Sequence, residues 1–128
     1  MENQMTMDKF KTGQSTKVDF VITPEMSTNR TGKPGADVLS TPSLLGLMEG
    51  ACIKLTEPFL PENYSTVGYA VDGLRHLAPT QVGETVTIAI EVTEVDSKKM
   101  RLGFKIEATE NGKTIGVASH KRALISTL

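Results

Sequence analysis

The sequence predicts an α+β domain in which a small antiparallel sheet curls around one helix. Three observations carry this. Residues 40–55 are apolar around most of a helical circumference, whereas from about Thr66 the apolar residues recur with a period of two. Glu110-Asn111-Gly112-Lys113 then marks a tight hairpin, because Asn-Gly tolerates the positive φ angles of a type I′ turn.

Taken in order, residues 1–16 read as a loosely ordered lead-in. Lys17–Thr23 is a short β-rich run, halted at Pro24 because proline lacks an N–H and biases its predecessor. Residues 27–37 carry the turn-forming types and form the one long loop, a length associated with lids and ligand contacts. The helix opens with Ser40 or Thr41 as cap and Pro42 where a missing N–H costs nothing. At about 100° per residue, Leu44, Leu45, Met48, Ala51, Cys52 and Leu55 share one broad face flanked by Leu47 and Ile53, the pattern of a helix wrapped on several sides. Gly46 and Gly50 lie on the remaining face, where missing side chains permit close approach. Pro58 ends the segment. Thr66–Val71 then reads as a strand continuing irregularly past Gly73 toward His76. Val86, Ile88, Ile90 and Val92 alternate with polar residues, as do Leu102, Phe104, Ile106 and Ala108. A return strand runs from about Thr114 to Ile125.

At 128 residues the chain reads as one domain, 1–128, long enough to bury a core without disulfides or metal. A net charge of -1 argues against a nucleic-acid or anionic-membrane surface, and no apolar run reaches membrane-spanning length. The single cysteine excludes an internal disulfide or a cysteine metal cluster and fits a reducing cytoplasm. Phosphate-binding loops, dinucleotide fingerprints and metal-ligand spacings are absent from the sequence. A sheet this small leaves edges that a second copy can pair with, so a homodimer is the expected working unit.

Glu49 lies between Leu45 and Ile53 at the border of the apolar arc. It is either a surface residue at a helix edge or a half-shielded base or nucleophile. Thr41 is by default a cap, yet a hydroxyl at a helix N-terminus also suits a carbonyl oxygen or a water. An ideal rise of about 1.5 Å per residue puts Thr41 and Glu49 about 12 Å apart along the axis. They therefore approach a common cleft from different directions or belong to sites completed by a partner chain. His76 is a structural imidazole or a proton shuttle. His120, in Ser119-His120-Lys121-Arg122, reads as a solvated strand face. Cys52, in the middle of the apolar face, reads as an inert core thiol. Lys98, Lys99, Arg101, Lys121 and Arg122 are either solubilising charges or contacts for a phosphate-bearing ligand.

Four pieces in order carry a family resemblance: Ile22-Thr23-Pro24-Glu25-Met26; Thr41 and Glu49 on the helix; Pro58-Phe59-Leu60; and Arg75-His76-Leu77-Ala78-Pro79 leading to Val82-Gly83-Glu84. From about Phe20 to Ile125 the chain resembles the hot dog fold of acyl-CoA thioesterases, most nearly the fluoroacetyl-CoA thioesterase-like family. The resemblance implies hydrolysis of a small or short-chain acyl-CoA to the free acid and coenzyme A, with no metal or redox cofactor. It implies Thr41, Glu49 and His76 as the catalytic positions. Read from the residues, Gly68 and Arg75 are the expected substrate-binding positions, Gly68 lining the cleft with Asp72 and offering a backbone N–H. Two departures stand out. Residues 28–39 contain no aromatic, where family members specialised for fluoroacetyl groups carry a hydrophobic lid, and one extra residue lies between Gly68 and His76. The alternatives on the same fold are a binding module that holds an acyl-CoA without turnover and a hydratase or dehydratase.

Overall fold

Residues 6–29 and 32–128 are described by the computed structural model of the chain. Seven strands and one long helix follow in chain order: β1 (Ser15–Val21), β2 (Ser27–Thr28), β3 (Val38–Leu39), α1 (Thr41–Thr56), β4 (Tyr64–His76), β5 (Thr85–Asp96), β6 (Arg101–Glu110) and β7 (Lys113–Ser126). Five of the strands form an antiparallel sheet in the order β1-β5-β6-β7-β4. The short pair β2–β3 ties together the ends of the long loop, whose positions 30 and 31 lie outside the described residues.

The alternation expected for β5 and β6 is the alternation observed. Val86, Ile88, Ile90, Val92, Leu102, Phe104, Ile106 and Ala108 are all buried, against a helix face of Leu44, Leu47, Met48, Ala51, Cys52 and Leu55. Burying each large apolar side chain contributes about 1.5–3 kcal/mol, so this contact carries the fold. The hairpin turn places Asn111 and Gly112 at φ 49° and 80°, the left-handed values that Asn and Gly accept.

Two expectations need correction. The lead-in is not loose where it is described: Met7 and Phe10 are buried, and Phe10 meets Phe59 edge-on at 5.9 Å. Hydrogen bonds from Gly13 N to Val92 O and from Val92 N to Gln14 O prolong the pairing of β1 with β5. Two apolar residues in a polar stretch sufficed to anchor it, and they show no periodicity. Residues 1–5 of that segment lie outside the described part. The buried arc of α1 is also narrower than expected. Leu45 and Glu49 are half-buried and Ile53 is exposed, so this strip is an open edge of the helix.

β4 carries Gly68 and His76 and is the most irregular strand. Its pairing with β7 shifts register between Gly68 and Ala70 and again between Asp72 and Arg75, where Gly73 sits at φ 61°. The extra residue noted between Gly68 and His76 is thus absorbed by bulges. As an outermost strand β4 has one free edge, and Val67, Tyr69 and Val71 are exposed on it. Among the described residues no helix is long and apolar enough to cross a membrane.

Candidate active site

Two polar clusters form beside α1. The first is at its N-terminus. The Ser40 hydroxyl accepts the Ser43 backbone N–H at 3.2 Å and is therefore the cap, which releases the Thr41 side chain. Thr41 Oγ1 lies 2.8 Å from His76 Nδ1. His76 is held at the end of β4, where it pairs with Gly116 and where Leu77 N donates to Ile115 O. Burial lowers the pKa of His76 below the ordinary 6.5, which keeps the ring neutral and able to take a proton at neutral pH. Its Nε2 is buried and has no hydrogen-bond partner among the described residues. The pair opens on a cleft of about 530 Å³ lined by Val38, Leu39, Pro42, Leu77 and Pro79.

The second cluster surrounds Glu49, two turns further along. Arg122 Nη1 donates to Glu49 Oε2 at 3.1 Å, and His120 Nε2 stands 3.8 Å from the same oxygen. Arg122 is buried and its guanidinium is well satisfied. Nε donates to Thr66 Oγ1 at 2.9 Å, Nη2 to Thr66 O at 3.0 Å, and Nη1 also to His120 Nε2 at 3.1 Å. A buried guanidinium is tolerated only when it is paired and hydrogen-bonded in this way. The Glu49 side chain remains 43% exposed and borders a second cleft of about 260 Å³ with Leu45, Gly68, Tyr69 and Val71. Gly68 is what lets the carboxylate lie against β4: a Cβ there would stand 2.6 Å from Glu49 Oε2 and 2.8 Å from His120 Cε1.

His120 and Arg122 are corrections to the reading from sequence. Both are 3% exposed, so neither is a solvated charge, and Arg122 is committed to Glu49 and Thr66 rather than free for a phosphate. The usable signal was the period of β7. Gly116, Ala118, His120, Arg122 and Leu124 alternate on the buried face, with Ser119 and Lys121 exposed between them. Arg75 is exposed and does not line either cleft. Cys52 is buried, and burial pushes its thiol up to about 12, so it is no nucleophile. Thr41 with His76, and Glu49 with Gly68, are thus brought together as two pairs.

A hydroxyl paired with an imidazole and a carboxylate fixed by an arginine are the parts of acyl-transfer chemistry. The sequence signature of the fluoroacetyl-CoA-specific thioesterases matches residues 22–127. The chain belongs to that family. The fluoroacetyl-CoA thioesterase of Streptantibioticus cattleyicolor is 29% identical over 124 residues, covering 92% of this chain and 87% of that one. A crystal structure of a variant of a fluoroacetyl-CoA-specific thioesterase, holding fluoroacetate and CoA, superposes with a TM-score of 0.80 at 29% identity. That match covers 91% of this chain and 96% of the other. A hot-dog-like protein from Thermanaerovibrio acidaminovorans, 20% identical, matches with a TM-score of 0.82 over 99% of this chain and 90% of that one, which concerns the fold alone. The hot dog architecture expected from the order of elements is therefore the architecture of this family member.

Proposed function

We propose that the protein hydrolyses a small or short-chain acyl-CoA thioester, releasing the free acid and coenzyme A. The observation that carries this is the Thr41–His76 pair at 2.8 Å, opening on a cleft large enough for an acyl-thioester end. Glu49 attacks the thioester carbonyl or takes a proton from the attacking water, Thr41 positions the reacting group, and His76 transfers the proton that leaves with the coenzyme A thiol. Oxygen is gained by the acyl carbon as the C–S bond breaks, so the sum is thioester plus water to acid plus thiol. Gly68 lets the carboxylate approach β4. Arg75 is assigned to the coenzyme A moiety rather than to the acyl group, since it lies outside both clefts.

The working unit in this reading is a homodimer. The free edge of β4, 13 residues long with exposed Val67, Tyr69 and Val71, together with the open Leu45–Ile53 strip of α1, supports pairing with a second copy about a two-fold axis. Such pairing runs the two helices antiparallel and carries Glu49 of one protomer toward Thr41 and His76 of the other. A composite site reconciles a carboxylate and a hydroxyl that are about 12 Å apart on one helix. A cytoplasmic location fits a chain with a single cysteine, the buried Cys52. The chain acts as a single domain without a metal or redox cofactor.

The test is thiol release across a panel of acyl-CoA thioesters of graded acyl size, with Glu49→Gln and His76→Ala measured beside the parent. Hydrolysis that both variants abolish supports the assignment. Saturable binding with no thiol release from any acyl group replaces it with a binding module.

A further inference from the structure

We infer that His120 is a positioning residue that orients Glu49 by fixing Arg122, a role that rests on the thioesterase reading above. Its ring is locked by partners on both sides. A guanidinium only donates, so the Arg122 Nη1 contact at 3.1 Å requires His120 Nε2 to be the bare, accepting nitrogen. The proton then sits on Nδ1, where it is donated to Ala70 O at 2.8 Å. Two independent contacts thus specify the same tautomer. Phe104 stacks on the ring, with centroids 6.4 Å apart and planes 28° from parallel, which fixes its plane as well.

The consequence for Arg122 is a division of its Nη1 hydrogens. One goes to His120 Nε2 and the other to Glu49 Oε2. Thr66 holds Nε and Nη2, so the guanidinium plane is fixed on one side by Thr66 and on the other by His120. Without the imidazole acceptor, one buried N–H loses its partner and the fork is free to turn toward the carboxylate, altering where Glu49 points. His120 does not itself neutralise Glu49. At 3.8 Å, with its Nε2 lone pair taken by Arg122 Nη1, it makes no hydrogen bond to it.

Two substitutions and one spectroscopic measurement test this on the full chain. His120→Phe keeps the ring on Phe104 and removes the acceptor. The expected result is a kcat lowered on the order of 10- to 100-fold, the scale of misplacing a catalytic group by about an ångström, with KM changed less than about threefold. His120→Gln restores a neutral acceptor and recovers most of the loss. A His120→Phe protein that folds and keeps parental kcat overturns the role, as does an effect confined to KM or an equal loss in both variants. Nitrogen NMR of the parent imidazole decides the matter independently of turnover and of whether either variant folds. A ring protonated on Nδ1 and bare on Nε2 at neutral pH supports the inference, and the opposite tautomer or a doubly protonated ring sinks it. If the parent releases no thiol from any acyl-CoA while the NMR result holds, the failure lies with the proposed reaction and the arginine-fixing contact stands.

Discussion

Thr41 Oγ1 and His76 Nδ1 stand 2.8 Å apart although the residues are separated by 35 positions. The contact joins the first turn of the helix to the last residue of β4, so it exists only in the folded sheet-and-helix arrangement. It leaves no local signature. It also gives the hydroxyl a purpose beyond ending a helix, because Ser40 already caps the first turn.

Removing either member of that pair is therefore expected to damage chemistry more than folding. Thr41→Ala and His76→Ala each lower kcat on the order of 10²- to 10⁴-fold, the usual scale for a lost proton-transfer partner. Thr41→Ser, which keeps the hydroxyl, retains most of the activity. Steady-state thiol release, with circular dichroism to verify the fold, checks this.

Complementation between protomers separates a composite site from a self-contained one. A purified heterodimer of a Thr41→Ala chain and a Glu49→Gln chain has one site with both defects and one with neither, if each site draws on both copies. Activity close to half that of the parent is then expected. Two self-contained sites would each carry one defect, and the heterodimer would be as inactive as its parts.

Gly68→Ala is expected to reduce activity about tenfold or more and to lower the melting temperature as well. The added methyl would stand 2.6 Å from Glu49 Oε2 and 2.8 Å from the His120 ring. The Glu49 carboxylate is the half-exposed end of a flexible side chain and yields by leaving its position, whereas the His120 ring is buried and held by Ala70 and Arg122, so displacing it costs stability. Unchanged activity or an unchanged melting temperature would contradict this.

Acid should destabilise the fold through its two histidines. Burial lowers the pKa of His76 and of His120 below 6.5, and Arg122 lowers His120 further, while the Ala70 carbonyl and Glu49 oppose the shift. Between each depressed value and 6.5 the unfolded chain binds more protons than the folded one, so stability rises with pH through that window. Stability is then expected to be full above about pH 6.5 and to decline below it, together with activity as His76 gains its proton. Chemical denaturation at pH 5.5 and 7.5 measures the difference. Equal stability at the two values would show that neither ring is held neutral by the fold.

The sequence made the core strands and the helix legible because each rests on a periodic pattern. The alternation in β5 and β6 and the Asn111-Gly112 turn are local rules that the tertiary structure does not override. Glu49 stood out for its setting on the helix, while Thr41 and His76 were picked out by the family resemblance, and which of them meet depends on how β4 bulges at Tyr69 and Gly73. His120 and Arg122 were hidden by their company. Beside Lys121 they read as a charge run, although the period of β7, followed inward from Leu124, places both on the buried face. Met7 and Phe10 were invisible for the opposite reason, being isolated apolar residues whose partners, such as Phe59, lie far along the chain.

Ser40 and Thr41 are adjacent hydroxyl residues that answer to different masters. One caps the helix and the other is paired with His76, so losing the first is a matter of durability, about 1 kcal/mol for a typical cap, and losing the second, in the proposed reaction, a matter of turnover. The two properties can consequently drift or be engineered apart at neighbouring codons, and a heat-hardened version of this protein need not be a slower one.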